Sequence, residues 1–258
     1  MKIVAVVSAK GGVGKTTVTA NLSTALGYGG HTVLTVDLDP QNALRFHFGL
    51  DPQNISGTAR ASLGGTDWRE TCFRSASGVY VLPYGSVNED DRHAFEDQLE
   101  AQPGWLGSHL ATLGLGDDAI VMLDTPPGPS IYMKQALSAA HLVLIVSLPD
   151  AASYATLPLM EGLIQTYCTP RADFIDHAYV INQVDSSRQL AKDVTHVMRA
   201  NFGDRVVGLI HLDPAVSEAL AFDKSVLDYA AHSQATLDFV DCARWVSTRL
   251  QQAGNEVR

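Results

Sequence analysis

A chain of 258 residues, 46% of them hydrophobic, is long enough to bury a full core. With no proline-rich or low-complexity stretch, it is expected to fold as a single domain spanning residues 1–258. Its 28 acidic against 18 basic residues leave a formal charge of -10, which argues against a broad electrostatic grip on nucleic acid or an anionic membrane. Cys72, Cys168 and Cys242 are odd in number, far apart and without metal-ligand spacing, so they read as small buried hydrophobes in a reducing compartment rather than a disulfide scaffold or zinc site.

In chain order, residues 3–7 form a β-branched apolar run that ends in glycine-rich sequence, and residues 17–26 place Val18, Leu22 and Ala25 on one helical stripe. Residues 32–36 supply a second strand, which completes a right-handed parallel βαβ unit. Short apolar strands recur at 79–82, 119–123, 142–146, 178–181 and 206–210, and helices are expected around 90–101, 132–140, 154–167 and 188–201. Strands without strict polar alternation belong to a sheet covered on both faces, hence a doubly wound, mainly parallel α/β fold. In such a fold ligands bind beyond the carboxyl ends of the strands. Residues 50–78, broken by Gly57, Gly64, Gly65 and Gly78, are read as a helix pair, a partner-facing excursion or a plain surface connection. Near the end, Leu237, Val240, Ala243, Val246 and Leu250 line the face of a packed helix, followed by a mainly polar tail at 251–258. The opening MKIVAVVSAKGG runs directly into the glycine loop, so a cleaved secretory signal would remove that loop, and no segment has 18 uninterrupted apolar residues. A soluble, cytoplasmic protein is expected.

The segment Lys10, Gly11, Gly12, Val13, Gly14, Lys15, Thr16 and Thr17 follows the first strand. Its glycines let the backbone turn close to a polyphosphate and aim amide hydrogens and a helix N-terminus at the oxygens. Lys15 is placed to bridge the outer phosphates and Thr16 to ligate Mg²⁺, while Thr17 bonds near the inner phosphate or caps the turn. Ala9 stands where the strict eight-residue P-loop pattern has glycine. Asp124 ends the strand at 119–123 and opens the sequence DTPPG; its carboxylate is expected to hold the magnesium hydration shell, and the Pro126-Pro127-Gly128 turn to report the terminal phosphate. Asp37 and Asp39 follow the second strand in DLDPQ. Asp39 is the candidate for orienting or activating the attacking water, with Asp37 assisting the Mg²⁺ environment; the alternative is a capping pair before a helix. These are the parts expected of a site that binds and hydrolyses a nucleoside triphosphate.

Together, KGGVGKTT, DLDPQ and DTPPG resemble the deviant P-loop ATPases, which include the ParA and MinD proteins and nitrogenase iron protein, and the resemblance covers most of the chain. It implies a nucleotide-sandwich homodimer in the ATP state, in which Lys10 reaches the phosphates of the other subunit and neutralises charge formed during hydrolysis. It also implies that Asn182, at the end of a strand where an asparagine otherwise often makes a turn, reads adenine, and that the loop carrying Asp213 and Pro214 packs the base and sugar. Within that group, residues 87–92, 105–118 and 147–157 are similar to the BcsQ family of cellulose-biosynthesis accessory ATPases. That similarity implies as partners a small BcsR-like protein, a BcsE-like regulator and the membrane-embedded synthase complex, with recruitment to the inner membrane or cell pole through them. No thiol lies near DTPP, which sets the chain apart from the iron-sulfur members. Its acidic composition offers no strong nucleic-acid signal for a partition ATPase, the alternative reading, and its polar tail offers little membrane area.

Overall fold

The computed structural model describes residues 1–256; the last two residues of the expected polar tail lie outside the described residues. Eight strands, β1 (Lys2–Val7), β2 (Val33–Asp37), β3 (Phe73–Arg74), β4 (Tyr80–Leu82), β5 (Ile120–Asp124), β6 (Leu142–Ser147), β7 (Asp176–Val184) and β8 (Val206–His211), form one sheet in the order β3-β4-β2-β5-β1-β6-β7-β8. Every pairing is parallel except the two-residue edge strand β3, which runs antiparallel to β4. This is the mainly parallel, doubly wound sheet read from the sequence.

Successive side chains of a strand point to opposite faces, and both faces here are dry. Ile3, Ala5 and Val7 of β1 enter one buried cluster, Val4 and Val6 the other. The first cluster is covered by α2 (Thr58–Gly64), α3 (Glu89–Ala101), α4 (Trp105–Thr112), α5 (Ile131–Ala139), α6 (Ala151–Tyr154), α7 (Leu157–Tyr167) and α8 (Gln189–Phe202), the second by α1 (Lys15–Tyr28), α9 (Pro214–Ala221), α10 (Val226–Tyr229) and α11 (Gln234–Glu256). The helix expected over 154–167 is two helices, because Pro158 supplies no backbone N–H and favours a first turn, so the chain restarts there. Stretches with no expected helix also fold into α4, α9 and α10.

The irregular segment 50–78 is mostly at the surface but reaches the core at a few points. Ala59, Ala61 and Trp68 are buried in it, and the Trp68 ring lies 5.1 Å from Trp105 and 4.8 Å from His109. On the terminal helix one residue of the expected face is misplaced. Leu237 is 53% exposed, whereas Phe239, Cys242, Ala243, Val246 and Leu250 are buried. Cys168 and Cys242 are buried thiols that burial pushes up to about 12, and Cys72 is half-buried. No described helix is long and apolar enough to cross a membrane.

Candidate functional site

Three loops leave the carboxyl ends of adjacent strands β2, β5 and β1, and they are tied to one another. Leu38 N–H donates to the Asp124 carbonyl at 2.9 Å, Gly128 N–H to the Ser8 carbonyl at 2.9 Å, and the buried Thr125 hydroxyl to the Val6 carbonyl at 2.8 Å. The P-loop therefore sits against the DTPPG turn, where a Cβ on Gly11 would stand 3.7 Å from the Pro127 ring.

Within the P-loop, Gly12 and Gly14 have φ of 76° and 84°, a region that L side chains rarely adopt. Gly14 is the N-cap of α1, and a Cβ there would stand 2.4 Å from the Asn182 amide nitrogen. Val13 anchors the loop by burying its side chain, while its carbonyl accepts a 2.8 Å hydrogen bond from Asn182 Nδ2. Asn182 is thus brought to the P-loop backbone. Gln183, the next residue, has φ 56° and places its amide beside Gly14.

Lys10 is half-buried beside the Ser8 hydroxyl, which donates to the Lys10 carbonyl at 2.7 Å. Lys15 is only 6% exposed, and burial lowers its pKa against the opposing pull of Asp124 and Asp39. Thr16 and Thr17 stand half-buried on the first turn of α1, with Thr16 on the side of Asp124. Thr19, unremarked in the sequence, donates to the Lys15 carbonyl at 3.0 Å and to Asp124 Oδ1 at 3.4 Å.

Asp37 and Asp124 end β2 and β5 as register partners, both with no solvent exposure. Burial raises the Asp37 carboxyl well above the usual range, and the Asp124 charge raises it further. Burial likewise pushes Asp124 up to about 6, against the opposing pull of the Thr16 hydroxyl and the Lys15 charge. Asp37 accepts the N–H groups of Asp39 at 2.9 Å and Leu44 at 3.1 Å, so it also acts as the anchor of its own loop. Asp124 Oδ2 is buried without a partner among the described residues. Two abutting carboxylates, one with an orphaned oxygen, and a neighbouring hydroxyl are a donor set of hard oxygens that suits Mg²⁺. Asp39 is half-buried, and its Oδ1 accepts the Gln41 N–H at 2.9 Å, leaving Oδ2 for another partner.

Asp213 and Pro214 lie at the carboxyl end of β8. Asp213 accepts the Ala215 N–H at 2.9 Å as N-cap of α9 and, through Oδ2, the Ala235 N–H at 3.2 Å at the start of α11. Burial opposes ionisation there, but these amides hold the carboxyl below the usual range. Both oxygens serve the framework of the loop, and its exposed surface is Pro214 and Leu212.

Comparison with known proteins follows this geometry. The family model "Cellulose biosynthesis protein BcsQ" matches residues 1–246. The chain is 29% identical over 246 residues to the BcsQ cellulose biosynthesis protein of Salmonella typhimurium, covering 95% of this chain and 94% of that one. It is also 30% identical over 267 residues to the chromosome-partitioning ATPase Soj of Thermus thermophilus, covering 97% of each. Among solved structures, it superposes on the cell division ATPase MinD of Pyrococcus furiosus with a TM-score of 0.75 at 26% identity, covering 96% of this chain and 98% of that one. Cobyrinic acid a,c-diamide synthase from Mycobacterium smegmatis, solved with an ATP analog and magnesium, matches with a TM-score of 0.79 at 24% identity over 98% and 97% of the two chains, a likeness of fold.

Proposed function

Because the chain belongs to the BcsQ family, within the ParA and MinD type of P-loop ATPases, we propose that it is a Mg-ATP-dependent, dimerising ATPase that helps assemble, localise or regulate the cellulose-synthase secretion complex. The observation that carries the nucleotide part is the buried Lys15 set against the paired carboxylates Asp37 and Asp124, with one Asp124 oxygen lacking any partner. Such a group is expensive to bury and becomes favourable when a phosphate and a divalent cation complete it.

In this reading the P-loop amides and Lys15 hold the phosphates. Thr16 ligates Mg²⁺ directly, and Asp37 and Asp124 hold it through water. When bound, the ion neutralises charge on the outer phosphates. Asp39 orients the attacking water, and Lys10 meets the phosphates of the second subunit. Asn182 and the Asp213-Pro214 loop receive the base. The product is ADP and phosphate, and the ATP-bound dimer offers a surface to the small BcsR-like and BcsE-like proteins and, through them, to the membrane complex.

Phosphate release should be measurable for the wild type and lost in Lys10→Ala and Asp39→Ala; unchanged rates in both variants would remove those two roles. The cellular role is tested by nucleotide-dependent pull-down from the native host, comparing wild type with Lys15→Ala. Cellulose-synthase subunits recovered only with the competent protein support the proposal. The 30% identity to a chromosome-partitioning ATPase favours a second reading, positioning of DNA or another cargo. Recovery of segregation proteins, with salt-sensitive duplex binding, would select it.

A further inference from the structure

The loop from Asp37 to Leu44 is fastened at both ends by one carboxylate, since Asp37 accepts the Asp39 N–H at 2.9 Å and the Leu44 N–H at 3.1 Å. Between those points the polar groups mostly satisfy one another. Asp39 Oδ1 accepts from Gln41, and the Asp39 carbonyl accepts the Asn42 N–H at 2.8 Å. The exception is the side chain of Asn42. It is 3% exposed, yet neither Oδ1 nor Nδ2 has a hydrogen-bond partner among the described residues. Its backbone also has φ 52°, in the left-handed region.

Each of these features raises the free energy of the loop as it stands. A buried amide with no partner loses its hydration and gains nothing in exchange. A non-glycine residue in the left-handed region adds backbone strain, and such strain persists only where the surroundings impose it. Asparagine tolerates that region better than most residues, through local hydrogen bonds of its side chain, and here those bonds are missing. A partner has to arrive, or the loop has to re-form between its two fixed ends.

We infer that Asn42 is a positioning residue for Asp39: it biases the loop toward rearrangement when a nucleoside triphosphate and its divalent cation fill the adjacent cradle, and its amide then gains the hydrogen bonds it lacks. This inference rests on the nucleotide-binding reading above. Asn42 shares its loop with Asp39 and Asp37, so a ligand that draws on either carboxylate acts on the segment holding Asn42. The differential free energy that a two-state element requires is then supplied by the amide, unsatisfied in one state and paired in the other.

Two variants separate side chain from backbone. Asn42→Gly removes the amide and relieves the left-handed strain, whereas Asn42→Ala removes the amide and keeps the strain. Calorimetric titration with the Mg²⁺ complexes of ATPγS and ADP reads affinity, and thermal unfolding without nucleotide reads the ground state. Both variants should bind Mg-ATPγS about tenfold more weakly than wild type, the equivalent of one hydrogen-bonded amide. Mg-ADP affinity should change by less than about threefold, and Asn42→Gly should unfold at a higher temperature than both wild type and Asn42→Ala. Folded variants that bind both nucleotides as wild type does would overturn the role of Asn42 while leaving the nucleotide reading intact. A wild-type chain that binds neither nucleotide would overturn that reading and, with it, this one.

Discussion

Replacing Asp124 with asparagine is expected to stabilise the nucleotide-free, metal-free protein at pH 7 by on the order of 3 kcal/mol, with little effect at pH 4. The sign follows from the raised carboxyl, held at about 6 in the fold against a model value of 3.8. Below the unfolded value both states carry the proton and the group costs nothing. As pH rises toward 6 the unfolded chain releases its proton while the native one retains it, and stability is lost until the folded group ionises as well. His47 and His141 work in the opposite direction, because burial lowers both to about 4 and the unfolded imidazoles bind protons below about 6.5. The informative quantity is therefore the difference between wild type and variant in denaturant unfolding across pH 4 to 8. Removing the Asp124 charge also relieves Asp37, which its neighbour pushes up. A flat difference would mean that the carboxylates are solvated in the free protein. The same variant should lose the part of nucleotide-induced stabilisation that depends on Mg²⁺.

The other large effect concerns a glycine outside the P-loop. Gly57→Ala should cost more than about 3 kcal/mol, enough to unfold a substantial fraction of a marginally stable chain. A Cβ at Gly57 would lie 2.2 Å from the Gly85 backbone nitrogen and 2.4 Å from the Tyr84 carbonyl carbon. Neither neighbour can yield, because Thr58 N–H donates to the Pro83 carbonyl at 2.9 Å, Ala59 N–H to the Tyr84 carbonyl at 3.1 Å and Ser86 N–H to the Ile55 carbonyl at 3.0 Å. The two chains cross at van der Waals limit, and overpacking there displaces backbone rather than a side chain. Chemical denaturation, with Gly64→Ala as the control in a roomier position where the nearest atom is at 3.7 Å, distinguishes this clash from a general glycine effect.

The parallel strands were legible in the sequence because a strand buried on both faces is a continuous apolar run, and β1, β2, β5 and β6 lie within a residue or two of their expected positions. The P-loop, Asp37 and Asp124 were legible for a related reason: their chemistry is carried by local spacing at strand ends. Residues 50–78 were not, since their order comes from Trp68 inserting beside Trp105 and His109 and from the close crossing at Gly57, contacts between segments remote in sequence that no periodicity announces. Leu237 was assigned to the buried face because a helical stripe has soft edges, and Phe239 and Cys242 occupy the centre of the actual one. Asn42 left no trace in the sequence beyond a turn-forming residue after DPQ. Its significance is an absence of partners, which only the folded chain reveals.

The hydrogen bonds that join the P-loop, the loop after Asp37 and the DTPPG turn have a thermodynamic consequence for association. Three separate mobile loops would each surrender conformational freedom at the moment of complex formation. Stitched backbone to backbone at their roots, they surrender most of it during folding instead, so only the stretch between Asp37 and Leu44 is left to reorganise around a ligand, and the rest of the entropy of ordering falls on the polypeptide's own stability rather than on affinity.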